Sequence, residues 1–127
     1  RFDLLERLCE QYYVYEGTDN LQGRILKEVK SVIEGLREDP KALKGLEMML
    51  DRNCGNLVTR LREQTPGLKA EDIRLFIFAA CGFSSTTIST ILEKDKGIVY
   101  NRIWRLKGKI SASEAPDKEE FLDSINR

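Results

Sequence analysis

Residues 82–110 constrain the fold more strongly than any other part of the sequence. Gly82 interrupts one helical pattern, and Ser84 follows it as a candidate N-cap for a short helix. A polar turn at residues 93–95 leads into a longer pattern with apolar residues at helical spacing: Val99, Ile103, Leu106 and Ile110. The other faces of this longer helix are basic, and residues 96–110 contain no acidic residue. Two helices joined by a tight turn, the second one basic and amphipathic, predict a helix-turn-helix whose second helix enters the major groove.

The same stretch resembles two bacterial families. Gly82-Phe83-Ser84 aligns without gaps on the Gly-Leu-Ser of the LuxR-type helix-turn-helix. The family's Ile-Ala pair, its leucine and its recognition-helix valine fall on Ile88-Ser89, Leu92 and Val99. The longer helix also resembles region four of bacterial sigma factors, whose pattern of valine, arginines, apolar and basic residues falls on Val99, Arg102, Ile103, Arg105, Leu106 and Lys107. No stretch resembles the polymerase-binding part of a sigma factor, so a complete sigma factor is excluded.

The resemblance implies a DNA-binding regulator of bacterial transcription. It is similar to the C-terminal output region of a larger protein, and we expect a sensory part upstream of Arg1. The sequence departs from the family in the turn. Glu93 stands where the family usually has glycine or an apolar residue, and Lys94 stands where it usually has an apolar residue. Ser89 likewise replaces an alanine and adds a hydroxyl to a small side chain.

The candidate site lies on the longer helix, opposite its apolar stripe. The resemblance implies that Tyr100, Asn101 and Trp104 point at base edges, where asparagine can pair with adenine and aromatic rings can contact thymine methyl groups. Hydroxyl and basic side chains that diverge around the two helices are expected to contact phosphates: Ser84, Thr86, Lys96, Arg102, Arg105, Lys107 and Lys109. In the alternative interpretation, Trp104 covers the edge of the core or the C-terminal helix, Ser84 only caps its helix, and the threonines face water.

The distribution of charge favours DNA more than its sum does. The 21 basic and 21 acidic residues of the chain cancel. Residues 69–110, however, carry eight basic and four acidic residues, whereas residues 111–127 carry two basic and five acidic ones. Double-stranded DNA is therefore the expected partner of the segment around the longer helix.

Other classes of function find little support in the sequence. It has no histidine, and its three cysteines form no CxxC pair, so we expect neither a metal site nor an enzyme, and no cofactor or small-molecule ligand. The cysteines fall on or near apolar stripes and are expected to be reduced core residues. The longest apolar run, residues 75–83, is too short to span a membrane, and no signal peptide opens the chain. We therefore expect the chain to be cytoplasmic, either as a free protein or as the cytoplasmic part of a longer, membrane-anchored regulator.

The whole chain is expected to be all-α. An N-terminal three-helix module, residues 1–66, would end at Thr65-Pro66-Gly67 and precede a helix-turn-helix module, residues 67–127, with a C-terminal covering helix. The first helix, residues 2–15, contains a tyrosine cluster, and the second has a predicted buried face of Ile25, Val29, Val32, Ile33 and Leu36. The third carries one long stripe with a kink at Gly55: Leu43, Leu46, Leu50, Cys54, Leu57 and Leu61.

The tyrosine-rich first helix and the long leucine stripe offer surface for pairing two copies of the chain. For the stripe, packing on the first two helices of the same chain is the favoured alternative to a dimer seam. One recognition helix reads a half-site, so we predict a homodimer formed by residues before Pro66. The rival prediction is an interaction module that docks another protein and does not bind DNA.

Overall fold

The regular secondary structure of the described residues consists of α-helices without strands, which confirms the all-α prediction. The computed structural model describes the backbone of residues 23–126 and the side chains of residues 30–126. Its seven helices are α1 (Gly23–Glu38), α2 (Pro40–Asn53), α3 (Leu57–Gln64), α4 (Ala70–Ala80), α5 (Ser85–Leu92), α6 (Lys96–Ala112) and α7 (Lys118–Ile125). The helix predicted over residues 2–15, its tyrosines, Cys9 and the side chains of Ile25 and Val29 lie outside the described residues.

Local sequence signals explain several helix ends. Asp39 caps α2 by accepting a hydrogen bond from the Lys41 backbone N–H at 2.9 Å, and Pro40 occupies the first helical position. At the start of α4, the Asp72 carboxylate accepts the Lys69 backbone N–H at 3.0 Å. Glu71 and Asp72 thus place negative charge at the positive end of the helix dipole, as predicted.

The third predicted helix is two helices, because the chain turns sharply at Gly55 and Asn56. Both residues have left-handed backbone angles, with φ of 61° and 60°. Asp51 accepts the Val58 backbone N–H at 2.7 Å and the Thr59 hydroxyl at 2.7 Å, which holds the start of α3 against the end of α2. The sequence predicted a kinked helix at Gly55, whereas the structure has a complete break between two helices there.

Two other predicted core positions are on the surface. Val32 is 43% exposed, whereas Ile33 and Leu36 of the same helix are buried. Cys54 is exposed because it lies beside the turn after α2, and Cys81 is buried as expected. Both are free thiols.

Helix α4 forms the centre of the core. Leu75, Phe76, Ile77, Phe78 and Ala79 are all buried, so this helix is covered on nearly every side. Helices α2, α3, α5, α6 and α7 all pack against it. Phe121 of α7 meets Phe76 edge-on, with ring centroids 6.4 Å apart, and α7 covers the core as the sequence predicted.

The helices on the two sides of Pro66 share this core. Helix α1 packs against α5, and both α2 and α3 pack against α4. The buried apolar residues form one cluster running from Ile33 to Ile125. The division into modules at Pro66 stays a prediction about how the chain is organised.

Candidate nucleic-acid interface

The short helix α5 starts where the sequence predicted. Gly82 takes a left-handed conformation with φ of 92°, and the Phe83 backbone N–H reaches back to the Phe78 carbonyl at 3.2 Å. Phe83 then stacks on Phe78, with ring centroids 5.9 Å apart. Ser84 caps α5, since its hydroxyl oxygen accepts the Thr87 backbone N–H at 3.1 Å. These contacts fix the direction in which the chain enters α5.

The turn after α5 is tight because Glu93 adopts a left-handed conformation with φ of 54°. The Lys94 backbone N–H donates to the Ser89 carbonyl at 3.1 Å and closes the end of the helix. This is the position where the resembling families usually have glycine or an apolar residue. Glutamate there strains the backbone, but its carboxylate lies 3.2 Å from an Arg37 guanidinium nitrogen.

Arg37 connects this turn to the N-terminal part of the chain. Its guanidinium donates to the Ile91 carbonyl at 2.6 Å and to the Thr90 carbonyl at 2.8 Å. These carbonyls lack partners inside α5 because they belong to its last turn. Arg37 therefore holds the end of α5 and the start of the turn together.

Helix α6 buries a narrow stripe and leaves its opposite side open. Val99, Leu106 and Ile110 are buried, and Ile103 is partly buried at the edge of the stripe. All three predicted base-contacting residues are exposed: Tyr100 at 63%, Trp104 at 69%, and Asn101 beside them. With this exposure, Trp104 does not cover the edge of the core, although it shares a groove with Ile125 of the C-terminal helix α7.

One side of α6 borders a groove that we call the aromatic groove, with a volume of about 390 Å³. It lies between α6, the start of α5 and the end of α7. Its lining residues are Ala79, Gly82, Phe83, Ser84, Ser85, Tyr100, Ile103, Trp104, Lys107 and Ile125. The aromatic side chains Tyr100 and Trp104 of α6 thus lie beside the capped start of α5, and Lys107 adds a positive charge to the lining of the groove.

The other side of α6 borders a second groove, which we call the basic groove, with a volume of about 440 Å³. It lies between α6, the start of α4 and the turn after α5. Its lining residues are Lys69, Glu71, Asp72, Arg74, Leu75, Leu92, Lys94, Arg102, Arg105 and Lys109. Six cationic side chains therefore face two carboxylates in this groove.

The predicted phosphate-binding residues are divided between the two grooves. Arg102, Arg105 and Lys109 line the basic groove, whereas Ser84 and Lys107 line the aromatic one. Lys96 is exposed at the start of α6. Thr86 is partly buried in α5, where its carbonyl accepts the Ser89 and Thr90 hydroxyls at 2.7 and 3.0 Å.

Predicted phosphate ligands that bond to other side chains of the chain include Lys109 and Lys107. Lys109 forms an ion pair with Asp72 at 3.0 Å, and Lys107 donates to the Asn126 side-chain oxygen at 3.2 Å. Partial burial raises the pKa of Asp72, but the hydrogen bonds from the Lys69 backbone and from Lys109 outweigh it and lower this pKa below its usual value. Asp72 is therefore an ionised competitor for any anion that approaches Lys109.

Sequence reasoning did not assign three further cations to the site: Lys69, Arg74 and Lys94. They precede α6 in the chain, and their place beside it depends on how α4 and the turn pack. Arg74 donates to the Leu36 and Arg37 carbonyls at 3.2 and 2.8 Å and so closes the end of α1. Burial and the nearby charge of Arg37 lower the pKa of Arg74 from its ordinary value.

The described residues also provide information on metal sites and membrane-spanning helices. Among the described side chains, no three histidines, cysteines, aspartates or glutamates come together as metal ligands would. None of the helices within residues 23–126 is both long enough and apolar enough to cross a bilayer. Neither a protein-family model, nor a curated protein, nor a solved structure matches the chain.

Proposed function

We propose that this protein is a DNA-binding regulator of transcription that places α6 in the major groove of double-stranded DNA. The observation that carries the proposal is the exposed side of α6, where Tyr100, Asn101 and Trp104 lie together on a helix anchored by a buried apolar stripe. An α-helix fits the major groove, and these side chains offer the hydrogen bonds and apolar contacts that distinguish base pairs.

Charge supports the same proposal. The described helix α6 has basic residues on both flanks of this exposed side and no acidic residue along its length. Long basic side chains in these positions suit the two phosphate backbones that border a major groove. The resemblance of residues 82–110 to LuxR-type and sigma region-four sequences is a further, separate support.

The first experiment is selection of binding sites from random duplex DNA, followed by titration of the selected site. Asn101→Ala is expected to weaken binding to the selected site by about 1–3 kcal/mol and to change binding to random duplex little, since a base contact is lost. Asn53→Ala is the matched control, because Asn53 is an exposed residue of α2 that donates to the Met49 carbonyl. Equal losses at both kinds of duplex would contradict base reading by Asn101.

Phosphate contacts have a different signature. Lys107→Ala is expected to weaken binding to selected and random duplexes equally and to flatten the log–log salt dependence by about one unit. With about four phosphate contacts per chain, the unmodified protein should show a slope near −3 to −4 for each bound chain. A salt slope that Lys107→Ala leaves unchanged would remove this residue from the interface.

A protein-docking module is the second candidate, and the aromatic groove favours it. Tyr100 and Trp104 are large exposed side chains beside an apolar floor, as is common at the centre of protein interfaces. If the purified chain binds no duplex even at low ionic strength, the DNA proposal fails and this candidate replaces it.

A further inference from the structure

The basic groove lies on a different side of α6 from the proposed base-reading residues. At 100° per residue, the mean direction of Arg102, Arg105 and Lys109 is about 130° around the helix axis from that of Tyr100, Asn101 and Trp104. A duplex centred on the latter three residues therefore does not account for the far wall of the groove, where Lys69 and Arg74 lie.

The cations of this groove are poorly compensated. Arg37, Arg60 and Arg62 each form an ion pair with a carboxylate of the chain. Within the described residues, Lys94, Arg102 and Arg105 form no such pair. Arg102 is also partly buried, and no carboxylate among the described residues pairs with it. An external anion would supply a counter-charge.

The chain itself illustrates how an anion is held there. Asp72 sits at the start of α4 and accepts hydrogen bonds from the Lys69 backbone N–H and the Lys109 ammonium, both at 3.0 Å. Together with Glu71, it neutralises only part of the charge of six cations. The remaining cations include two guanidinium groups, Arg102 and Arg105, whose planar forks match phosphate oxygens.

We infer that the basic groove is a phosphate-binding site distinct from the base-reading side of α6. Its occupant carries several negative charges close together, as in a polyphosphate or a stretch of nucleic-acid backbone. The volume of about 440 Å³ suits a small polyphosphate. Leu75 and Leu92 also line the groove and give it apolar wall beside the cations. This inference does not require that α6 reads DNA.

The test is calorimetric titration of the purified chain with inorganic triphosphate at low ionic strength. The double variant R102Q/R105Q is expected to bind triphosphate about tenfold or more weakly, because hydrogen bonds between charged groups are lost. Lys94→Gln is a second groove variant at an exposed position in the turn, and it should weaken binding without affecting the fold. The melting temperature of each variant checks that the fold is retained.

The matched controls are Lys41→Gln and Arg52→Gln on α2, both exposed and without a described ion pair. Combined as K41Q/R52Q they remove two charges, as R102Q/R105Q does, and Lys41→Gln alone removes one, as Lys94→Gln does; both controls should leave triphosphate binding unchanged. Equal losses in groove and control variants would mean that only the net charge attracts the anion, which would overturn the inference. Absence of triphosphate binding by the unmodified chain would overturn it as well.

A competition experiment identifies the natural source of the phosphate. If duplex DNA displaces triphosphate, the groove holds the DNA backbone; if both bind together, it serves a free ligand. Both results support the site. Asn101→Ala should leave triphosphate binding intact, so failure of base reading and failure of the groove give different results.

Discussion

Asp72 is expected to stabilise the fold because its carboxylate accepts hydrogen bonds from the Lys69 backbone N–H and the Lys109 ammonium. Its pKa is lowered in the folded chain, so its carboxylate stabilises the fold above its unfolded pKa of about 3.9, and this contribution is lost as the pH falls through the folded pKa. We expect Asp72→Asn to lower the unfolding free energy by about 0.5–1 kcal/mol at pH 7. The difference from the unmodified protein should shrink as the pH falls below about 4.

Urea denaturation over a series of pH values measures this difference. Glu34→Gln is a suitable control because Glu34 is exposed on α1 and forms no described ion pair. A loss for Asp72→Asn that is the same at pH 7 and pH 3 would show that the charge of Asp72 is unimportant.

Arg37 is the second residue with consequences beyond its own helix, since it bonds to the end of α5 and pairs with Glu93. Arg37→Ala leaves the Thr90 and Ile91 carbonyls without this donor and should cost about 1–3 kcal/mol in thermal or chemical unfolding. Arg52→Ala, at an exposed position on α2, should change stability by less than about 0.5 kcal/mol. Similar effects of the two substitutions would argue against an anchoring role for Arg37.

At the level of helices, the turn between α2 and α3 depends on the backbone of Gly55. An added Cβ would meet nothing closer than an Arg60 nitrogen at 3.8 Å, so space is available, but φ of +61° is unfavourable for any side chain. Gly55→Ala should therefore cost about 1–2 kcal/mol through backbone strain alone. Gly45→Ala, inside α2 with no atom within 4 Å of the new Cβ, should instead stabilise the protein by about 0.5–1 kcal/mol.

The same turn illustrates what sequence patterns could and could not predict about the helices. Some helix ends could be predicted because the residues responsible for them act on their sequence neighbours. These residues are Pro40, Glu71, Asp72 and Ser84. The leucine stripe stays in phase across Gly55, and periodicity alone therefore predicted one kinked helix. Two consecutive left-handed residues form the break, and the Asp51 hydrogen bonds that support it are side-chain contacts invisible to a periodic pattern.

The candidate site was predictable to a similar extent. The exposure of Tyr100, Asn101 and Trp104 follows from the phase of the buried stripe of α6, which is a local property of the sequence. The division of the basic residues between two grooves was not predicted, because it depends on which neighbours flank the helix. Lys69 and Lys94 reach the basic groove through the packing of α4 and α5. Arg37 joins residues more than fifty positions apart.

At the scale of the whole molecule, the shared core links the N-terminal helices to the candidate interface. Helix α1 contacts α5, and Arg60 of α3 forms ion pairs at 3.0 Å with Asp117, which precedes α7, and at 2.7 Å with Glu120 of α7. The side-chain hydrogen bonds that Arg60 makes lower the pKa of Glu120. The pKa of Asp117 is lowered as well, mainly by the hydrogen bond from the Gln64 side chain and further by the one from Arg60. Contacts made by residues before Pro66 therefore help to hold the helices that frame α6.

Assembly is the remaining property at this scale, and we predict a homodimer formed by residues before Pro66. One α6 would read only half a site, and a two-fold pair could place two such helices about 34 Å apart, one helical turn of DNA. Val32 and Met48, on α1 and α2, are 43% and 52% exposed and are apolar candidates for the contact.

Light scattering should find a dimer at high micromolar concentration, and the variant V32D/M48D should be monomeric with a nearly unchanged melting temperature. Ile98→Asp is the control, because Ile98 is 44% exposed but follows Pro66, so it should leave the dimer intact. An unmodified chain that stays monomeric at that concentration, with and without DNA, would rule out the dimer.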